Sequence, residues 1–137
     1  MGFTVKNKIE TIDFVNIRAN LNWNYLSHGL VEKAIKGSMI NISVFDKDKC
    51  IGVGRIVGDN ALKGMLTDIM VIKEYQGKGV GKLIVTSLIS ELDKIIKEGE
   101  AFQLEASPTA NNRGFYIKCG LKYKPENQDG VYLWIRK

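Results

Sequence analysis

The sequence predicts an α+β fold: one domain spanning residues 1–137, built on a mixed, mostly antiparallel sheet flanked by helices. Three observations carry this expectation. Three strand-like runs between residues 39 and 72 are separated only by short polar turns, Asp46-Lys47-Asp48-Lys49 and Gly58-Asp59-Asn60, and such short connections join antiparallel neighbours. The third run leads into a long helical pattern and then a further strand at residues 101–106, an order that lets the two strands lie parallel as a βαβ unit. The chain is long enough to bury about two-thirds of its unfolded surface, so a core forms without disulfide staples.

The elements follow in order. Residues 4–6 read as a short strand. Ile12, Val15, Ile17 and Leu21 mark a helix over 11–21, with Thr11 or Asp13 near its start. Asn22-Trp23-Asn24-Tyr25 breaks that pattern. Ser27 is placed to cap a second helix, with Leu30, Val31, Ala34 and Ile35 on its apolar face and Gly37 past its end. In residues 39–45, Ile40, Ile42 and Val44 face one way and Asn41 and Ser43 the other, which predicts a half-buried strand. The returning strand, 50–57, places Gly52 and Gly54 on one face, where an aromatic or a crossing helix can approach closely. Lys63-Gly64 leads into the strand at 65–72. Val80, Leu83, Ile84, Leu88, Leu92, Ile95 and Ile96 share one side of the helix that follows, and Gly99 is expected to end it. Ser107-Pro108-Thr109 turns into a short helix over 110–119, with Gly120 as its left-handed stop. The last strands are expected at 121–124 and 131–135. Repeats, linkers and low-complexity tracts are absent.

Composition excludes several classes. At 45% hydrophobic and 26% charged residues, the chain reads as globular. Cys50 and Cys119 lie far apart without CxxC or Cys/His spacing, which suggests free thiols in a reducing compartment and no metal. The start lacks an apolar signal region, and Lys6 stands where a myristoylation motif has Ser or Thr. No apolar run approaches the roughly 18 residues that span a bilayer. A cytoplasmic location is therefore expected, with no membrane partner. The net charge of +5 would suit nucleic acid, but the basic residues are spread and interleaved with acidic ones.

Gln76-Gly77-Lys78-Gly79-Val80-Gly81-Lys82 is the most specific stretch. Three glycines at alternate positions stand between a strand and a helix start, whose unpaired N–H groups and positive dipole end attract anions. Lys78 and Lys82 add charge. The alternative is a mobile surface turn. A P-loop is excluded, because Gln76 stands where its first Gly belongs and Leu83 where its Ser or Thr belongs. A dinucleotide fingerprint fails at Lys82.

Gln76-x-x-Gly79-x-Gly81 does resemble the acyl-CoA-binding signature of the GNAT superfamily of N-acetyltransferases. The preceding Thr67-Asp68-Ile69-Met70-Val71-Ile72 is similar to that family's central strand. Phe115-Tyr116-Ile117-Lys118-Cys119-Gly120-Leu121 resembles its second signature, F-Y-x-K-x-G-F, with Leu121 in place of the final Phe. The resemblance covers about residues 39–137. It implies acetyl-CoA as cosubstrate, a small-molecule or peptide amine as acceptor, and direct attack in a ternary complex. Small enzymes of the family often form homodimers, though nothing in this sequence locates an interface. A catalytically silent acyl-CoA-binding module is the alternative.

The resemblance also implies roles. Two parallel strands, 68–72 and 102–106, would splay to admit the pantetheine arm. Backbone groups near Met70 and Val71 would pair with that arm, and the N–H groups of Gln76, Gly77, Lys78, Gly79, Val80, Gly81 and Lys82 would hold the pyrophosphate. Tyr116 would protonate the departing thiolate, the alternative being a packing tyrosine. Asn111 or Asn112 would contact the CoA arm, or cap a helix; Lys118 would approach its tail, or simply be solvated. Asp68 and Glu105 flank the expected site as candidate bases, with Asp68 alternatively structural. Some relatives carry Glu where this chain has Thr67, a departure that counts against a phosphorylated amino-sugar acceptor. Trp23, Tyr25 and His28 lie between the two helices that cover the acceptor in this family, with core-edge and surface roles as their alternatives.

Overall fold

The computed structural model describes residues 2–109, 112–125 and 130–137. Its elements are β1 (Phe3–Lys6), α1 (Thr11–Asn20), α2 (His28–Lys36), β2 (Ile40–Asp46), β3 (Lys49–Gly58), β4 (Lys63–Val71), α3 (Val80–Ile95), β5 (Ala101–Ala106), α4 (Arg113–Lys118), β6 (Lys122–Tyr123) and β7 (Val131–Arg136). The strands form one sheet in the order β1-β2-β3-β4-β5-β7-β6. Strands β1 to β4 are antiparallel in sequence, as the short turns predict. The β4–β5 pair is parallel, and β7 returns antiparallel between β5 and β6.

The helices divide the sheet into two covered faces. Helix α3 packs on β2, β3 and β4, while α1 packs on β3, β4 and α2. The expected glycine face of β3 is the seat of α3: a Cβ on Gly52 would lie 2.9 Å from Ile84 Cδ1, and one on Gly54 2.5 Å from Ile84 Cγ2. Val80, Ile84, Val85, Leu88 and Leu92 are buried along α3. Burial of each such side chain contributes about 1.5–3 kcal/mol, more than a helix cap does. That matters because the N-cap, Gly79, supplies no side-chain hydrogen bond.

Several local expectations shift. Residues 40–45 are buried on both faces apart from half-buried Asn41. Ser43, only 2% exposed, donates from its Oγ to Lys8 O at 2.6 Å, because the chain leading into α1 crosses above it. Ser27 does cap α2, accepting from Leu30 N–H at 3.3 Å, but Gly37 ends that helix with an ordinary right-handed φ of −81°. Helix α3 stops at Ile95 because Ile96 turns extended, so left-handed Gly99 shapes the approach to β5 and not the helix end. Ile95 is 47% exposed, and Val85 takes its place in the core. The parallel pairing of β4 with β5 covers only Lys63–Met65 against Gln103–Glu105.

The reason for that short ladder lies in β4. Val53 pairs with Met70 and Arg55 with Thr67, so β4 carries one extra residue there. Asp68 sits in the left-handed region at φ 53°. An inserted residue of this kind bends a strand and breaks its ladder. Beyond it, β4 and β5 part.

Candidate active site

A cleft of about 610 Å³ opens where the strands diverge, lined by the end of β4, the glycine loop, the first turn of α3 and one side of α4. Ile72 N–H donates to Ile51 O in β3 at 3.0 Å. Peptide directions alternate along a strand, so Met70, paired with Val53, also addresses β3, whereas Val71 turns its N–H and C=O toward the open side. Of the two backbone positions expected to face the cleft, Val71 does so and Met70, 1% exposed, does not. The Val71 carbonyl is already engaged: Gln76 Nε2 donates to it at 2.9 Å. Gln76 thus ties the loop to the strand end and leaves the Val71 N–H as the donor facing the cleft.

The three glycines serve two purposes. Gly77 (φ 78°) and Gly79 (φ 84°) lie in the left-handed region with nothing within 4 Å of a would-be Cβ, so conformation requires them. Gly81 instead admits the Phe115 ring, which would stand 3.3 Å from a Cβ. The α3 N-terminus that follows has no side-chain cap and no acidic residue in its first turn. Lys82 and Lys118 line the cleft, while Lys78 rests its ammonium 5.4 Å from the Tyr75 ring centre, just outside the lining. Orphan N–H groups, a positive dipole end and Lys82 on this wall, with Lys118 across from it, give the cleft a positive character of the kind that attracts anions.

Helix α4 supplies the opposite wall. Asn112 lines the cleft there, and its Oδ1 is buried without a hydrogen-bond partner among the described residues. An orphaned acceptor of this kind costs stability unless a donor arrives. Asn111 lies outside the described residues. Phe115 and Cys119 line the wall, whereas Tyr116 is 8% exposed beside Phe115, with ring centres 5.1 Å apart. Burial first, then the neighbouring Cys119, raises the Tyr116 phenol above its ordinary value. Burial likewise raises the Cys119 thiol, against the pull of Lys82.

Both expected carboxylates are paired. Asp68 Oδ2 accepts from Arg55 Nε at 2.8 Å, and Glu105 pairs with Lys124. Glu105 lies at the last rung of the parallel ladder, beside two shallow depressions that also hold Lys63. Trp23 and Tyr25 are 46% and 75% exposed, and with Val15, Arg18 and Leu26 they bound a small hollow of about 80 Å³. Arg18 lies over the Trp23 ring at 5.4 Å, so the aromatic loop is held outward and not used as a core plug. His28 is exposed at the first turn of α2.

Sequence reasoning missed Ile69, Tyr75, Phe115 and Cys119 as lining residues. Ile69 was accessible to period-two counting, since it shares the α3 face with Val71. Tyr75 was not: its place depends on a hydroxyl donated to Asp46 Oδ2 at 2.5 Å, a partner 29 residues away.

A family model of the acetyltransferase (GNAT) domain matches residues 11–134. An uncharacterized N-acetyltransferase, ycf52, from Pyropia yezoensis is 30% identical over 110 residues, covering 77% of this chain and 61% of that protein. The chain therefore spans about three-fifths of the length of such relatives. A glucosamine 6-phosphate N-acetyltransferase from Candida albicans is 39% identical over 59 residues, 43% of this chain and 37% of that protein. Among solved structures, a probable acetyltransferase of unknown function from meticillin-resistant Staphylococcus aureus superposes with a TM-score of 0.76 at 24% identity, over 92% of this chain and 95% of that one, a likeness of fold.

Proposed function

This chain belongs to the GNAT acetyltransferases, and from that premise we propose that it transfers an acetyl group from acetyl-CoA directly to an amine of a small molecule or peptide. The observation that carries the reading is the cleft itself: an uncapped helix start behind two left-handed glycines, beside a strand end whose Val71 N–H has lost its neighbour. Acetyl-CoA supplies an activated thioester. The residues present fit its parts. Gly77 to Lys82 would hold the pyrophosphate, Lys118 a further phosphate, and the Asn112 acceptor an amide N–H of the pantetheine.

The Val71 N–H serves best as the donor that stabilises negative charge developing on the thioester oxygen. The amine nitrogen forms the new C–N bond as the C–S bond breaks. Tyr116 gives its phenolic proton to the departing sulfur. A phenol near pKa 10 is a weak acid toward a thiolate near 8.5, and burial weakens it further, so the transfer requires a direct hydrogen bond to the sulfur in a partly desolvated site. Glu105 takes the proton lost by the amine, through water, when Lys124 swings aside. Cys119 borders the cleft, but its raised thiol stays protonated at neutral pH, which favours direct transfer over an acetyl-cysteine intermediate.

Thiol release from acetyl-CoA, measured against amines, amino sugars, aminoglycosides and Lys-containing peptides, tests the reading. Turnover with at least one acceptor class is expected. Binding of CoA with no thiol release from any amine would instead favour a silent acyl-CoA-binding module. The partial match to a glucosamine 6-phosphate enzyme makes phosphorylated amino sugars a required arm, although Thr67 weighs against them.

A further inference from the structure

Arg55 lies in the middle of β3, 15% exposed, on the face opposite α3. Its Nε donates to Asp68 Oδ2 at 2.8 Å. Its Nη1 donates to Ala34 O at 3.2 Å and to Ser38 Oγ at 3.1 Å. One guanidinium therefore grips the C-terminal turn of α2, the second residue past its end, and the bulge of β4. Ala34 O is at the negative end of the helix dipole, where a cation is favoured. The flat fork of Arg reaches all three partners in a way an ammonium does not.

Asp68 is the extra residue of β4 and holds a left-handed φ of 53°. Such a conformation persists in a non-glycine residue only when its surroundings impose it. If Asp68 returned to an extended conformation, residues 69–71 would slip by one. A one-residue slip exchanges the two faces of a strand and reverses its peptide directions. Ile69 and Val71 would then leave the cleft, and the Val71 N–H would turn toward β3.

The geometry points to Arg55 as a positioning residue for acetyl transfer: by holding Asp68 in the bulge, it fixes which backbone N–H of β4 faces the thioester, and it links that choice to α2. Its catalytic consequence rests on the reading above. A slip would cost the Gln76 tie to Val71 O, but the turn that leads into the glycine loop is also anchored apart from β4, by Tyr75 Oη donating to Asp46 Oδ2 and by Lys73 N–H donating to Asn20 Oδ1, so binding of CoA should depend little on the latch.

Variants Arg55→Met, Arg55→Lys, Asp68→Asn and the double Arg55→Met/Asp68→Asn test this, with Val31→Ala as a control that loosens the buried core contact of α2 without touching the latch. Expected are a fall in kcat of at least tenfold for Arg55→Met, a CoA Kd within twofold of the parent, and partial recovery in Arg55→Lys. The double variant should be no worse than Arg55→Met alone, since both remove one interaction. Amide hydrogen exchange of residues 67–71 should quicken at least tenfold relative to β2. The latch is overturned if kcat and this exchange both stay within twofold of the parent, or if Val31→Ala, compared at equal loss of Tm, reproduces the same changes. Should Arg55→Met not fold, Arg55→Lys and Asp68→Asn carry the comparison. If the parent neither binds acetyl-CoA nor releases thiol, the acetyl-transfer reading has failed, and the exchange measurement alone decides the latch.

Discussion

Gly52 and Gly54 in β3 have the same spacing as Gly77 and Gly79 before α3, for opposite reasons. The first pair has ordinary backbone angles and no room: added Cβ atoms would press on Ile84 at 2.9 and 2.5 Å. The second pair has open space and left-handed angles. One region is built so that a helix can lie close on a sheet, the other so that the chain can turn sharply into an uncapped helix start beside the cleft. Changes in the first should move stability and leave chemistry alone. Changes in and around the second should move binding or turnover and leave the core alone.

The largest effect expected is on the chemical side. Tyr116→Phe should lower kcat by about 10²-fold, or about 2.7 kcal/mol of barrier, with little change in acetyl-CoA binding. Steady-state kinetics with calorimetric CoA titration would check this, and an unchanged kcat would return Tyr116 to a packing role. Next is Gly54→Ala, whose Cβ overlaps Ile84 and Ile69. Overpacking of this kind costs about 1–3 kcal/mol. Thermal unfolding should show a clear loss of Tm, and at temperatures where the variant is folded CoA should bind with the parent affinity. Gly79→Ala should do the reverse. Its left-handed strain is worth about 1–2 kcal/mol, and escape from it would misdirect the loop, weakening CoA by about tenfold for each 1.4 kcal/mol while Tm changes little. If Gly79→Ala instead lowered Tm as much as Gly54→Ala with CoA affinity intact, the division between the two regions would be wrong.

The smallest effect concerns Cys50 on β3, whose thiol is pushed up to about 11, mainly by burial and then by Asp13. A folded-state value above the unfolded one adds stability that is fully present below the unfolded value near 9 and lost as pH rises toward 11. Tm should fall across that window, and Cys50→Ala should flatten the fall slightly. The same slope with and without the thiol would assign the alkaline loss elsewhere.

How much was legible depends on the range of the determining interaction. The order of strands and helices followed from short turns and apolar periodicity, which are local. The seat for α3 could be anticipated at Gly52 and Gly54, because two missing side chains on one strand face imply a close neighbour. The left-handed turn of the loop was legible because glycine reports backbone freedom directly. Asp68 illustrates the limit. In sequence it is an acid beside the site and a candidate base. In the fold it is a bulge residue joined to Arg55, a partner 13 positions away on the adjacent strand. Met70 and Val71 show the same limit, since which of them faces the cleft depends on the register that this bulge sets.

By itself, the sequence determined the kinds and order of elements, the glycine loop before α3 and the two short motifs that resemble those of the GNAT family, because backbone preference and hydrophobic periodicity act within a few residues. Only the tertiary structure decided the insertion in β4, the short parallel ladder, the partners of Asp68 and Glu105, and the Asn112 acceptor that has no partner among the described residues. Those depend on distances between segments far apart in the chain, where a single added residue reverses the direction of every peptide group beyond it.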